Sequence, residues 1–316
     1  MGRTVTSKKK RHLLKSHQRR LNRIQARNRR IELEALSDVW NEAAAKCVGS
    51  SHVKSGSPCQ DSVSTGSTEN GISVIALADG AGSSRFSHYG SELVVNRLVE
   101  LVPAHLGEAL ASRAGLESFK DRLISQLQID LLSLAEEGID FSEEEREKHR
   151  LPVKGEIEKV PCDVKDLSST LLFVAVYGNQ YVALHLGDGV IGMEIERFGN
   201  KEMKTLSMPN NGEFANETHF LTSRNACFEA KVYKGRLDYV GRKTTGFILM
   251  SDGPEAALLN KRTAMLAPAC HKLINANRLL ESGDMEQQLS ATLQQVIATK
   301  TSDDCSIALM SRISGK

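Results

Sequence analysis

The sequence predicts an α+β fold in which two strand-rich blocks, each with a pair of helices attached, build a sheet-on-sheet core flanked by helices. Three observations predict it. Apolar runs of strand length, rich in Val, Ile, Leu and Phe, recur at 72–78, 171–177, 181–186, 244–250 and 305–311. Leucine-bearing stretches at helical spacing accompany each block. Several strand runs stop at Asp-Gly: one ends at Asp79-Gly80, one at Asp188-Gly189 and one at Asp252-Gly253.

In chain order, residues 1–45 read as a basic N-terminal helical extension and 46–316 as the folded domain. Lys8-Lys9-Lys10-Arg11 opens the extension. Leu14, Leu21, Ile24, Ile31 and Ala35 then recur near three, four and seven, which predicts a helix from about 10 to 45 with a narrow apolar stripe. Residues 1–30 hold twelve Lys or Arg and no Asp or Glu, leaving 29 basic against 39 acidic residues in the remainder. Such an arm is either a solvated helix or is drawn to nucleic acid, a membrane surface or another acidic surface. It has no aromatic residue among residues 1–30, which argues against single-strand binding.

Gly49 to Val63 is expected to form a strand, a loop and a second strand, carrying His52, Lys54 and Gln60. After the strand at 72–78, Ala81 to Arg85 is a polar turn. A helix is predicted over about 87–101, with Leu93, Val94, Leu98 and Leu101 on its apolar face. A second is predicted over about 115–137, with Phe119, Leu123, Leu127, Leu131 and Leu134. The charged stretch 138–167, with Pro152 and Pro161, reads as an exposed connection holding a short helix near 142–149. Gly178 to Gln180 and Gly199-Asn200 mark hairpins. The polar stretch 207–230 suits a flap. Two further helices are expected at 254–281, interrupted near Pro268, and at 284–299. His149 reads as solvated, and His185, inside an apolar strand, as a satisfied core histidine.

Composition excludes several classes. No apolar run is long enough for a transmembrane helix, and no apolar segment follows the basic N-terminus as in a signal peptide. The six cysteines are scattered without a Cys-x-x-Cys pair, the usage of a reducing cytoplasm, so a cytoplasmic location without structural zinc is expected. There is no Gly-x4-Gly-Lys-Ser/Thr loop for nucleotide phosphates and no Cys-x5-Arg loop for a cysteine nucleophile.

The acidic strand ends carry the chemistry. If strands ending at Asp79, Asp188 and Asp252 lie side by side, with Asp303-Asp304 before the strand at 305 and Asp61 before Ser62 and Val63, their carboxylates meet at one rim. Clustered carboxylates repel one another unless a cation neutralises them. Oxygen-only ligands favour Mg²⁺ or Mn²⁺, with Ca²⁺ a less suitable occupant.

Cys59-Gln60-Asp61, Ala78-Asp79-Gly80, Ser169-Thr170, Leu186-Gly187-Asp188-Gly189, Ser251-Asp252-Gly253 and Ser302-Asp303-Asp304-Cys305-Ser306 occur in the order of the metal-dependent serine/threonine phosphatase family called PP2C. The chain resembles its compact bacterial subgroup over roughly 46–313. The resemblance implies a four-layer α/β/β/α sandwich of two antiparallel sheets flanked by helix pairs, with two or three Mg²⁺ or Mn²⁺ ions in a cleft at one rim. It implies hydrolysis of phosphoserine or phosphothreonine by direct attack of metal-activated water, on a phosphoprotein substrate opposed by a cognate kinase. By the same resemblance Asp79 bridges two ions with the Gly80 carbonyl beside it, Asp252 and Asp303 hold the other ion, and Asp61 acts directly or through water. Asp188 serves a third site or shapes a turn, Asp304 stands for a common Asn and hydrogen-bonds, and Thr170 is structural. Two departures are present: Ala81 replaces a His used as general acid, and Gly56 an Arg that grips phosphate. His52, Lys54 and Arg85 are therefore the candidates for phosphate binding. The competing expectation is a weak or inactive regulatory module that binds phosphoprotein, recruited to nucleic acid by the arm.

Overall fold

The computed structural model describes residues 39–209 and 218–313. One antiparallel sheet has the order β1-β13-β10-β6-β7, with β9 also paired to β10; the other has the order β2-β3-β4-β5-β8. In the first, β1 is Val39–Cys47, β6 Val190–Arg197, β7 Asn200–Ser207, β9 Asp238–Tyr239, β10 Arg242–Met250 and β13 Cys305–Ile313. In the second, β2 is Ser62–Ser67, β3 Ser73–Ala78, β4 Leu171–Tyr177, β5 Gln180–Leu186 and β8 Lys231–Arg236. A short hairpin joins β11, Leu259–Asn260, to β12, Met265–Leu266.

The strands read as unbroken apolar runs because both faces of each sheet are covered. Ile75, Leu77, Leu172, Val174, Phe247 and Leu249 fill the space between the sheets with Trp40. The alternate residues Val74, Ala76, Leu171 and Phe173 pack on two helices, α2 (Ser87–Ala111) and α3 (Arg113–Glu137). Ile248, Met250, Ile307 and Leu309 pack on α7 (Pro268–Leu279) and α8 (Ser282–Thr292). A period of two thus sorts side chains between two different cores, giving the expected four layers.

Four local differences have physical reasons. Residues 39–45 are not the end of a helix: β1 pairs residue by residue with β13, from Val39 opposite Ile313 to Cys47 opposite Cys305. Its alanines are good helix formers, and Glu42 and Lys46 disguise the alternation that sends Trp40 and Ala44 to one core and Ala43 and Ala45 to the other. The domain therefore begins no later than Val39, inside the expected extension, and the rest of that expected helix lies outside the described residues. The strand expected near Gly49 is a short helix, α1, Ser50–Ser55, closed by Gly56 at φ +62°. Helix α2 continues past Pro103 because Val102, Leu106 and Ala109 extend its buried face. The 138–167 connection contains the expected short helix α4, Glu143–His149, with a Ser142/Glu145 capping box. It is pinned rather than loose: the buried Arg146 donates to the carbonyls of Phe141, Pro152, Ile157 and Glu158.

His185 is the satisfied core histidine expected. It contacts Ser207 Oγ through Nδ1 and the Gly187 carbonyl through Nε2, and burial pushes its pKa down to about 4. His149 is half-buried, edge-on to Phe86.

Candidate active site

The antiparallel order brings every predicted strand end to one rim. Ser62 lies opposite Ala78, Leu171 opposite Leu186, Val190 opposite Met250 and Met250 opposite Ile307. The residues just beyond these ends line a cleft of about 180 Å³: His52, Asp79, Gly80, Thr170, Asp188, Asp252, Asp303 and Asp304 among them. Asp61 is fully buried beside it, its Oδ2 accepting from Ser251 Oγ at 2.7 Å. The structure thus gathers Asp61, Asp79, Asp188, Asp252 and Asp303, with Gly80, around one space.

Asp79 is the centre of the set. Its carboxyl lies near those of Asp61 and Asp252, whose charges act on it. Burial, then the charges of Asp61, Asp252 and Asp188, hold its pKa well above the carboxylate range. Burial, partly offset by Ser251, raises Asp61 to about 6. Burial, then Asp303 and Asp188, raises Asp252 to about 7. Asp79 is fixed by its backbone: its N–H donates to Thr170 Oγ1 and its carbonyl accepts from Thr170 N–H, each at 2.8 Å.

These residues fit a divalent cation. Among the described residues no Lys or Arg lines the cleft, and Asp188 presents one buried oxygen without a partner there while the other accepts from Thr218 Oγ1. Among the described residues no three acidic, Cys or His side chains already enclose an ion; the carboxylates meet in pairs through Asp79. The clustered carboxylate oxygens and their mutual repulsion are what match a hard cation.

Asp304 does a different job. Its Oδ1 accepts from the Gly49 N–H, and its Oδ2 accepts from the Gln60 N–H, each at 2.6 Å, with His52 Nδ1 at 2.9 Å from Oδ2. One buried carboxylate therefore ties the 303–304 turn to α1 and to the segment before Asp61. Two glycines permit the approach. A Cβ on Gly49 would lie 2.3 Å from the Asp303 carbonyl carbon, and one on Gly253 2.0 Å from the Asp304 oxygen.

Of the predicted phosphate-binding residues, His52 lines the cleft and Lys54 and Arg85 do not; both are exposed outside it. The role of Ser251, which lay in a recognised motif, was not legible, because only the fold brings it to Asp61. Nor was that of Thr218, 30 residues from Asp188. The expected flap is described at 207–209 and from 218 onward, where Leu221 N–H donates to the Ser169 carbonyl and Phe220 lines the cleft.

Comparison with known proteins agrees with this fold. Residues 48–294 match the family model described as protein phosphatase 2C. Serine/threonine-protein phosphatase 3 of Escherichia coli K12 is 24% identical over 213 residues, 66% of this chain and 73% of that protein. The fold resembles the crystal structure of the serine/threonine phosphatase Stp1 from Staphylococcus aureus, at TM-score 0.52 and 14% identity, over 87% of this chain and 95% of that one. It also resembles the PstP catalytic domain in complex with two manganese ions, at TM-score 0.50 and 16% identity, over 88% of this chain and 100% of that one.

Both Asp304 oxygens accept hydrogen bonds, so Asp304→Asn must set an amide N–H against a backbone N–H. The expected loss is about 2–3 kcal/mol of stability, read by urea unfolding. An unchanged midpoint would show that Asp304 does not tie these segments together.

Proposed function

The chain belongs to the protein phosphatase 2C family of protein serine/threonine phosphatases, and on that premise we propose that this cleft hydrolyses phosphoserine and phosphothreonine with the help of bound Mg²⁺ or Mn²⁺. The observation that carries the reading is the meeting of Asp61, Asp79 and Asp252 at one rim, with Asp188 and Asp303 facing the same space. Asp79 and the Gly80 carbonyl would hold the ions jointly, with Asp252 and Asp303 on one side and Asp61 on the other. Divalent cations supply Lewis acidity toward a phosphoryl oxygen and lower the pKa of water to near neutrality. Asp188, steadied by Thr218, is placed to hold a further ion.

The protein's own residues supply the rest. The leaving serine or threonine oxygen must gain a proton, and Ala81 cannot give one. His52 can. Asp304 accepts hydrogen bonds from two backbone amides, so it acts as an acceptor toward His52 Nδ1–H. As the imidazolium, with Nδ1–H on Asp304, His52 would carry its second proton on Nε2, which has no protein partner among the described residues and faces a cleft that His52 lines. We assign His52 as general acid, oriented by Asp304. Thr170 holds the Asp79 backbone in register, and Ser251 fixes the Asp61 carboxylate.

The direct test is phosphate release from a phosphothreonine peptide by the full chain with Mn²⁺, with Mg²⁺ and with EDTA. Release is expected with either metal, to vanish in EDTA, and to fall by at least about 10²-fold in Asp79→Asn and Asp252→Asn. A folded protein that binds Mn²⁺ but releases no phosphate would instead favour a regulatory phosphoprotein-binding module.

General acid catalysis adds a leaving-group signature. His52→Gln is expected to lower kcat on a phosphothreonine peptide by about 10²-fold while affecting p-nitrophenyl phosphate, whose leaving group needs no proton, far less. Equal losses on both substrates would remove His52 from that role.

The raised carboxylates give a sign for pH. Their protons are held through about pH 6–7 in the folded protein, and a cation must displace them. Mn²⁺ affinity is therefore expected to rise as pH increases from 5.5 to 7.5. Calorimetry near pH 6.5, in buffers of different ionisation enthalpy, should show protons released on binding; zero release would mean that the carboxylates are already ionised.

A further inference from the structure

Among the described residues the cleft has no Lys or Arg of its own, but three cations stand on one lip of it. Lys148, the penultimate residue of α4, donates to the Gly56 carbonyl at 2.9 Å and to Ser57 Oγ at 3.2 Å. Ser57 N–H in turn donates to the carbonyl of His52, a cleft residue. Lys54 is exposed one turn earlier on α1. On the other side of α4, Arg85 lies over the Phe86 ring and donates to the His149 carbonyl at 3.5 Å. Its turn begins at Ala81 and Gly82, which line the cleft. The His149 imidazole lies between these charges: burial, then Arg85 and Lys148, lower its pKa, against weaker opposition from Glu145 and Asp166. Segments around 54–57, 81–86 and 148–149 thus form one continuous basic edge.

Several cations elsewhere are neutralised by a carboxylate. Arg97 pairs with Asp130, Lys261 with Glu255, Arg278 with Glu194 and Lys154 with Asp140. Among the described residues no carboxylate pairs with Lys54, Arg85 or Lys148. The acids of α4 are committed or turned away, while Asp166, whose carbonyl accepts from the Phe86 N–H, acts on the same imidazole as Arg85. Glu145 accepts from Tyr89 and Ser142 and contacts His88, while Glu143 and Glu147 line a separate groove with Arg150 and Lys154. Glu144, exposed one turn before Lys148, is the acid left on that helix.

We propose that this lip reads acidic residues flanking the phosphorylated serine or threonine, with Lys148 and Arg85 as its specificity-determining contacts. The proposal rests on the phosphatase reading and names its substrate class. A carboxylate-lined cleft repels an acidic peptide except where cations neutralise it, so the lip fixes which side the acidic flank occupies. Charges at the rim of a binding site act mainly on partner choice and encounter, and are screened by salt.

The test uses the full chain with Mn²⁺ and three phosphothreonine peptides of equal length, with Asp/Glu, neutral or Lys/Arg flanks, beside p-nitrophenyl phosphate. At low salt kcat/KM for the acidic peptide should exceed that for the basic one by about tenfold, and added NaCl should shrink the ratio. Lys148→Glu and Arg85→Glu should each cut the ratio severalfold, mainly through KM, and Lys148→Arg should keep it. A wild-type ratio near one, or a ratio unmoved in both Glu variants, overturns the lip while p-nitrophenyl phosphate turnover still supports the phosphatase. No phosphate release from any substrate overturns the phosphatase reading, and this inference with it.

Discussion

Mutual repulsion among buried carboxylates is the constraint on which this structure turns. Asp79 sits at the end of β3, a strand with every residue buried, and its carboxyl lies near those of Asp61 and Asp252. Unpaired burial of a charge is costly, so the protein holds these groups partly protonated and opens one side of the cluster to the cleft. The four-layer packing supplies the stiffness this needs. Two cores on either side of the sheets and a third between them fix β3, β4, β10 and β13, and the strand ends follow from their registers. A cation bound among these carboxylates would relieve the same repulsion, and on the proposed reading folding and metal binding would be coupled through one set of atoms.

How much of this was legible depends on whether the signal was local. The strands were readable because a sheet covered on both faces needs an unbroken apolar run, and their ends because Asp-Gly follows each of three of them. β1 was not readable. Its alanines favour a helix in isolation, and only pairing with β13, more than 250 residues away in sequence, makes it a strand. Tertiary packing overrode propensity there, as it did at Pro103. The acidic half of the site was visible because each carboxylate sits beside its own strand, whereas Ser251 and Thr218, which hold two of those carboxylates, were visible only as ordinary polar residues.

Asp304 shows the same limit from the other side. Its neighbour Asp303 lines the cleft, while Asp304 is enclosed by Gly49, His52 and Gln60. Adjacent identical residues take different roles because β13 begins at Cys305, so one faces the rim and the other the junction with α1. The glycines at 49 and 253 are part of that junction, since any Cβ there would collide with the 303–304 backbone.

The two departures from the family pattern, Ala81 and Gly56, remove a proton donor and a cation from the places where sequence reasoning looks for them. The structure brings groups of both kinds back from other segments. His52 reaches the cleft from α1, held by Asp304. Lys148 reaches the Gly56 carbonyl from 92 residues away, on a helix whose position depends on the capping box at Ser142 and on the buried Arg146. A side chain at position 56 would enter open space, on a backbone at φ +62°. An ammonium anchored on that loop from outside is set at the lip instead. On the proposed reading, this moves positive charge from the phosphate itself to the peptide around it, leaving the cations bound in the cleft to neutralise the phosphate and the lip to choose among phosphoproteins.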